Sequence, residues 1–156
     1  VPLRPFGMFG GVNRDPRTRV ISAGFFAVAP MCSLAPGAGD DAADASLFVV
    51  ETSLEAASAS AETYRMTLFG HRILCARAQL RYDALGAQAA QVPGEMAGDL
   101  ASDHGLVLFS ALRALAALPR ERVARLLTRD CPDLFDDAVE ALDRALGAIP
   151  TEDEEV

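Results

Sequence analysis

The chain has 156 residues, of which 51% are hydrophobic and 23% charged, so it is about the size of one domain and can build a sizeable core. Its formal net charge of −8 would repel a polyphosphate backbone, which argues against nucleic acid as the main partner. No apolar stretch approaches the roughly 20 residues that span a bilayer, and Arg and Pro stand where a secretory signal would be apolar, so we predict a cytoplasmic protein without a membrane partner.

The first half of the chain predicts strands separated by a polar loop. Residues 20–29 are β-branched, aromatic and almost continuously apolar up to Pro30, which is typical of a strand buried on both faces. Residues 33–46 are rich in Gly, Ala, Asp, Ser and Pro and predict a surface loop, whereas residues 47–51 predict a second short strand. Residues 55–62, dominated by Ala and Ser, fit either a helical turn or a tether.

Residues 64–69 and 73–82 predict an antiparallel hairpin, because both are strand-like and a short turn containing Gly70 and His71 separates them. Polar and apolar residues alternate along the second strand, which predicts one wet face and one dry face. The wet face would carry Arg77, Gln79 and Arg81, and the dry face Ala76, Ala78, Leu80 and Tyr82.

After a second predicted loop at residues 86–98, the rest of the chain predicts helices. Asp103 offers an N-cap for a helix over residues 104–118, which is apolar on most of its circumference and should pack against the sheet. Beyond it we expect a C-terminal helical extension over residues 119–150, with one short and one longer amphipathic helix that form a satellite of the core. Residues 151–156 predict a solvated acidic tail.

The three cysteines, Cys32, Cys75 and Cys131, are far apart and form no Cys-x-x-Cys pair. This pattern favours neither a disulfide framework nor a zinc site, so we expect three reduced and mostly buried thiols. Nucleophilic catalysis has no support either, since no Ser stands in a Gly-x-Ser-x-Gly motif.

The segment before the first predicted strand is the most informative one for function. It places Arg14, Arg17 and Arg19 within six residues, on a loop shaped by Asp15-Pro16. Guanidinium groups bind phosphate oxygens in a bidentate manner, so these arginines can converge on an anion. In the alternative interpretation, Asp15 is salt-bridged to Arg17 or Arg19 and the remaining arginines are solvated.

Three motifs, in this order along the chain, resemble ADP-ribose pyrophosphatase-type proteins of the Nudix hydrolase family. The Arg-Asp-Pro-Arg run at residues 14–17, with a Phe-Gly pair before it and a Val-Ile-Ser strand after it, is similar to the family's segment just downstream of the Nudix box. Residues 47–49 resemble its Trp-Phe strand, and residues 100–105 resemble the Ala-Phe-Asp-His motif that opens its last helix, with Ser102 in place of the usual Phe. The hairpin at 64–82 resembles an insertion found in some bacterial members.

The resemblance implies an α/β fold with a Nudix-like mixed sheet flanked by helices, of which residues 1–118 supply the later part and which is incomplete at the N-terminus. It also implies that Arg14, Asp15 and Arg17 line the pocket for the diphosphate or terminal ribose of a nucleoside diphosphate derivative such as ADP-ribose, with Arg19 as a weaker candidate. Exposed strand edges in such a fold would favour a homodimer or pairing with a missing N-terminal segment.

The glutamate-rich Nudix box, whose side chains hold the magnesium ion that activates water in that family, is not found in this sequence. The acids of the last predicted helix, such as Asp136 and Glu140, are better explained as a solvated face, so no metal ligand is named and the box would lie upstream of Val1. The family implies a hydrolase of nucleoside diphosphates linked to another group, whose metal-binding box is not present in this chain. The alternative is a non-catalytic ligand-binding or regulatory module.

Asp103 and His104 allow two interpretations. Together they could form a catalytic acid–base pair. An Asp N-cap followed by His in the first turn of a helix is the commoner arrangement.

Overall fold

The computed structural model describes residues 1–12, 17–39, 44–101 and 103–151, and within these ranges the chain is a mixed α/β protein with two antiparallel sheets and three α-helices. The strands are β1 (Arg4–Phe9), β2 (Ser22–Phe26), β3 (Val49–Ala57), β4 (Ala61–Phe69), β5 (Ile73–Asp83) and β6 (Gly86–Gln91). The helices are α1 (His104–Ala116), α2 (Arg120–Leu127) and α3 (Phe135–Leu146). None of the helices in the described ranges is long and apolar enough to cross a membrane.

The α/β class agrees with the prediction, but the single mixed sheet does not. Strands β1 and β2 form one sheet, β3 to β6 form a second in chain order, and every pair of neighbouring strands is antiparallel. Short turns join the strands from β3 to β6. Such turns reverse the chain direction, whereas a parallel neighbour requires a crossover of a dozen or more residues.

The central hairpin is confirmed, and the segments on either side of it are more regular than the sequence indicated. β4 and β5 pair along their lengths as far as Phe69 and Ile73, across a turn at residues 70–72. The helical turn or tether predicted at residues 55–62 is wrong, because β3 extends to Ala57, β4 begins at Ala61, and the two strands pair with each other. The loop predicted at residues 86–98 contains β6 and a 3₁₀ turn. These Ala-rich segments have little intrinsic strand preference, so pairing with a neighbouring strand decides their structure.

The four-stranded sheet has one dry and one wet face, as the alternation along β5 predicts. Ala76, Ala78 and Leu80 are fully buried towards the helices. On the opposite face Arg77 donates hydrogen bonds to the Glu55 carboxylate, with Nε–Oε2 and Nη2–Oε1 distances of 2.6 and 3.0 Å. The hydrogen bond from Arg77 lowers the pKa of Glu55, so the pair remains ionised at neutral pH.

Helices α1 and α3 cover the dry face of this sheet, and α2 packs on α3. The Thr52 hydroxyl of β3 donates a 2.9 Å hydrogen bond to the carbonyl oxygen of Ala145, which fixes α3 beside the sheet. Leu142 and Leu146 belong to the same core cluster as Phe109 of α1. The two C-terminal helices are therefore part of the main core and not the satellite that the sequence suggested.

The two-stranded sheet of β1 and β2 packs one face against α1. Phe6 lies at the centre of an aromatic cluster on that face, with ring centroids 5.9 Å from Phe9 and 6.3 Å from Phe26. Gly24 makes room for it, because a Cβ there would come within 2.5 Å of the Phe6 ring. The burial predicted for residues 20–29 on both faces is wrong, since half-buried and exposed residues alternate along β2.

A disulfide joins Cys32, in a 3₁₀ turn after β2, to Cys131, just before the 3₁₀ turn that leads into α3. The prediction of three reduced thiols is therefore wrong for this pair, while Cys75 is free and half-buried. The partners are 99 residues apart in the sequence, so only the fold brings them together.

Removing the ring of Phe109 should destabilise the whole fold. Phe109 is 0% exposed and stacks on Tyr64, so Phe109→Ala is expected to lower the free energy of unfolding by about 3–5 kcal/mol in urea denaturation. Leu85→Ala is the matched control, because Leu85 is 93% exposed and its truncation should change stability by less than about 0.5 kcal/mol. Equal effects of the two substitutions would contradict this assignment of the core.

Thiol titration tests the disulfide directly. We expect the unfolded, unreduced protein to react at Cys75 alone and the reduced protein to react at all three cysteines. Reaction at three thiols without a reducing agent would show that Cys32 and Cys131 are not bonded.

Candidate functional site

A cavity of about 540 Å³ lies between the end of β1, the edge strand β6 and the first turns of α1. Small-molecule sites commonly have volumes of roughly 300–1,000 Å³ and a few polar groups among apolar ones. Its lining has that character and consists of Gly7, Met8, Phe9, Gly10, Gly11, Ala89, Gln91, Asp103, Leu106 and Ser110. This cavity is therefore the candidate ligand site.

Glycines let the backbone of β1 and the residues after it form one wall of the cavity. A Cβ at Gly7 would come within 3.1 Å of the Phe9 ring, and a Cβ at Gly10 within 3.3 Å of the Ile21 side chain. At Gly11 a Cβ would meet none of the described residues within 4 Å. Backbone without side chains can be approached closely by a ligand, so the N–H and C=O groups of this wall are suited to bind one.

The opposite wall is the start of α1, which β5 holds in place. Asp99 Oδ2 accepts a 2.7 Å hydrogen bond from the backbone N–H of Cys75, and the Asp99 N–H donates one of 2.7 Å to the Cys75 carbonyl. A Cβ at Gly105 would lie 2.9 Å from the Arg77 carbonyl oxygen, so only glycine allows this approach of the helix to the strand. The position of Asp103 between these contacts is therefore fixed by the sheet.

Asp103 is a buried carboxylate of the lining, with an exposed fraction of 5%. It occupies the N-cap position of α1, but its side chain makes no capping hydrogen bond to the helix. The usual N-cap carboxylate binds helix N–H groups, so Asp103 stands at the N-cap position without the usual capping contact. His104 is exposed and is not part of the lining, so the cavity does not bring Asp103 and His104 together as an acid–base pair.

The four predicted substrate-binding residues belong to the segment that leaves the cavity wall after Gly11. Arg14 and Asp15 lie outside the described residues. Arg17 and Arg19 are exposed, precede β2 in the chain and are not part of the cavity lining. The two arginines that the structure describes therefore do not form the wall of the site.

The cavity lining does not fit the magnesium site of the Nudix family. No group of three or more His, Cys, Asp or Glu side chains that could hold a metal ion occurs in the described part of the chain. Asp103 supplies the one carboxylate of the described lining, whereas the resemblance implies several glutamates around the ion.

A second polar cluster was not predicted from the sequence. Glu62 Oε2 accepts hydrogen bonds of 2.6 and 2.8 Å from the hydroxyls of Tyr64 and Tyr82. Burial, and next the hydrogen bond to Glu62, raise the pKa of Tyr64 well above its ordinary value of 10.0, so this phenol stays a neutral donor. The available signal was the spacing of Glu62 and Tyr64, two residues apart and hence on one face of a strand. We assign this cluster a structural role.

The chemistry that the cavity offers is recognition. Backbone N–H groups on the glycine wall can bind anionic oxygens, while Asp103 and Gln91 can bind hydroxyl or amino donors such as those of a ribose. No family model, no curated protein and no solved structure matches this chain. The site and the sequence motifs are therefore the grounds for a functional proposal.

The raised pKa of Tyr64 predicts a loss of stability in alkali. The unfolded chain releases the Tyr64 proton near pH 10.0, whereas the folded chain still holds it at that pH. The resulting stabilisation of the folded state is therefore complete below pH 10.0 and declines as the pH rises towards the pKa of the folded chain. We expect Tyr64→Phe to keep the ring packing and to lose stability less steeply above pH 10.0 in urea unfolding series. An equally steep decline in the variant would contradict the assignment.

Proposed function

We propose that this chain binds a nucleoside diphosphate linked to another group, such as ADP-ribose, in the cavity between β1 and α1, as the substrate-pocket part of a Nudix-type hydrolase. The supporting observation is that two segments with separate resemblance to that family line one cavity. Phe9, Gly10 and Gly11 lead into the Arg-Asp-Pro-Arg run, and Asp103 belongs to the motif that opens the last helix. About 90 residues separate the two segments in the sequence, so the fold brings them together at one cavity.

The cavity suits a ligand with a diphosphate next to a sugar. A diphosphate requires donors and positive charge, which the glycine backbone and the arginines of the adjoining segment provide. A sugar requires hydrogen-bond acceptors and amides, which Asp103 and Gln91 provide.

Hydrolysis is a separate matter from binding. The sequence contains no Nudix box, and the described lining does not fit the magnesium site of that family. The proposed hydrolase therefore requires magnesium ligands from outside the described lining. The second candidate function, a non-catalytic ligand-binding or regulatory module, is favoured by the same shortage of carboxylates.

We further propose a cytoplasmic location, where nucleoside diphosphate derivatives are formed and consumed. The Cys32–Cys131 disulfide argues against it, because structural disulfides are rare in the reducing cytosol. Thiol titration of protein trapped with an alkylating agent in intact cells would decide this point. A fully reduced pair would support the cytoplasmic location, and a fully oxidised pair would contradict it.

Calorimetry with ADP-ribose tests the proposed ligand. We expect saturable binding to the folded chain, and Arg14→Ala and, separately, Arg17→Ala should each weaken it at least about tenfold, since a lost charge-assisted hydrogen bond costs about 1.5–3 kcal/mol. Arg72→Ala is the matched control, because it removes the same charge from the β4–β5 turn. Absence of binding by a folded sample would remove the proposal.

Turnover distinguishes the two candidate functions. With magnesium and ADP-ribose, this chain alone is expected to bind without hydrolysis. Hydrolysis by the chain alone would show that its own residues hold the metal. This result would contradict the proposal that the chain binds the ligand without hydrolysing it. Hydrolysis that appears only after addition of a polypeptide carrying a Nudix box would favour the hydrolase over the regulatory module.

A further inference from the structure

A second cavity lies between the β1–β2 sheet and helix α2, and its volume is about 260 Å³. We call it the α2 groove. Its apolar lining consists of Pro2, Val28, Leu118, Pro119, Val123 and Leu126. The described lining of the α2 groove shares no residue with that of the cavity between β1 and α1, so the two are separate sites.

The apolar walls of the α2 groove stand on the main core. Val123 is buried, while Val28 and Leu118 are half-buried and pack against the core cluster. Leu126 is 46% exposed, at the position one helical turn after Arg122 and hence on the same side of α2. An apolar group that enters the groove would displace water from both walls, which favours its binding.

The Cys32–Cys131 disulfide ties the two walls of the α2 groove together. Val28 belongs to the segment after β2 that leads to Cys32, and Leu126 belongs to the helix that leads to Cys131. A cross-link next to a site restricts its walls before a ligand arrives, which lowers the entropic cost of binding. The α2 groove is therefore a preformed site.

Two arginines complete the lining of the α2 groove and supply its charge. Arg4 begins β1 and Arg122 lies in the first turn of α2, so the guanidinium groups come from opposite walls. Neither guanidinium forms a salt bridge with a described residue. The described lining contains no carboxylate, although the chain as a whole has a formal net charge of −8. The groove thus favours an anionic group, which guanidinium groups bind through paired hydrogen bonds.

The size of the α2 groove identifies the class of ligand. Sites for drug-sized molecules commonly measure roughly 300–1,000 Å³, and this groove is slightly smaller. A partner protein would need a much larger surface, since each partner buries roughly 800 Å² in a stable interface. A single unbranched acyl chain fits between two apolar walls, and its carboxylate matches the two arginines.

We propose that the α2 groove binds a free medium-chain carboxylate, with its acyl chain between Val28 and Leu126 and its carboxylate at Arg4 and Arg122. The apolar walls bind the chain, and the two guanidinium groups distinguish a carboxylate from an uncharged molecule of the same length. This site is additional to the proposed nucleotide site and does not depend on it.

Isothermal titration calorimetry of the full chain with octanoate tests the proposal. We expect saturable binding at concentrations at which octanoate is monomeric. Octanol has the same chain length and no charge, so it should bind at least about tenfold more weakly. Butanoate keeps the carboxylate and loses half of the chain, so it should bind at least about 100-fold more weakly.

Single substitutions locate the octanoate site. Arg4→Gln and, separately, Arg122→Gln should each weaken octanoate binding about fivefold and leave octanol binding unchanged. Arg125→Gln is the matched control, because it removes the same charge from the same helix outside the described lining. Leu126→Ser should weaken the binding of both octanoate and octanol, because it removes apolar contact from the wall.

The outcomes are distinct when each variant has the circular dichroism spectrum of the wild type. Absence of octanoate binding by the folded wild type overturns the proposal, as do equal affinities for octanoate and octanol. Equal effects of Arg122→Gln and Arg125→Gln overturn the assignment of the carboxylate to this groove. Displacement of octanoate by ADP-ribose would place it in the cavity between β1 and α1 and overturn the separate site. Binding that appears only after removal of residues 151–156 would assign the groove to the acidic tail of the chain and overturn the proposal.

Discussion

The packing of α1 between the two sheets is the constraint on which the rest of the structure depends. This helix contacts β1 and β2 on one side and β5 and β6 on the other. Phe109 anchors it, fully buried and with its ring centroid 5.1 Å from that of Tyr64. Gly105 lets its first turn approach the β5 backbone. Because α1 sets the distance between the two sheets, it also creates the cavity that lies at their junction.

The sequence predicts the individual strands and helices better than it predicts how they pack together. The β4–β5 hairpin could be predicted because polar and apolar residues alternate along residues 73–82 with a glycine turn before them. Helix α1 could be predicted from a nearly continuous apolar run after Asp103. Two Ala- and Ser-rich strand segments, β6 and the end of β3, could not be predicted, because their strand structure comes from hydrogen bonds to a neighbouring strand. The same contrast holds for the candidate site. The motifs at residues 14–17 and at Asp103 could be recognised in the sequence, but the sequence does not show that Gly10, Gln91 and Asp103 line one cavity.

The continuous apolar character of residues 20–29 has a physical explanation in the fold. A strand with two apolar sides needs cover on both, and α1 covers one. The other side carries Phe25 and Ile21 into solvent, at 54% and 61% exposure. Packing on α1 therefore accounts for the apolar residues on one side of β2 only.

The central claim is that the two cavity walls bind one ligand, and amide hydrogen exchange with and without ADP-ribose measures this most directly. Binding in the cavity predicts slower exchange both in residues 7–11 and in the first turns of α1, residues 103–110, with the outer β3–β4 hairpin unchanged. Protection of only one wall, or of a surface away from both, would contradict the account.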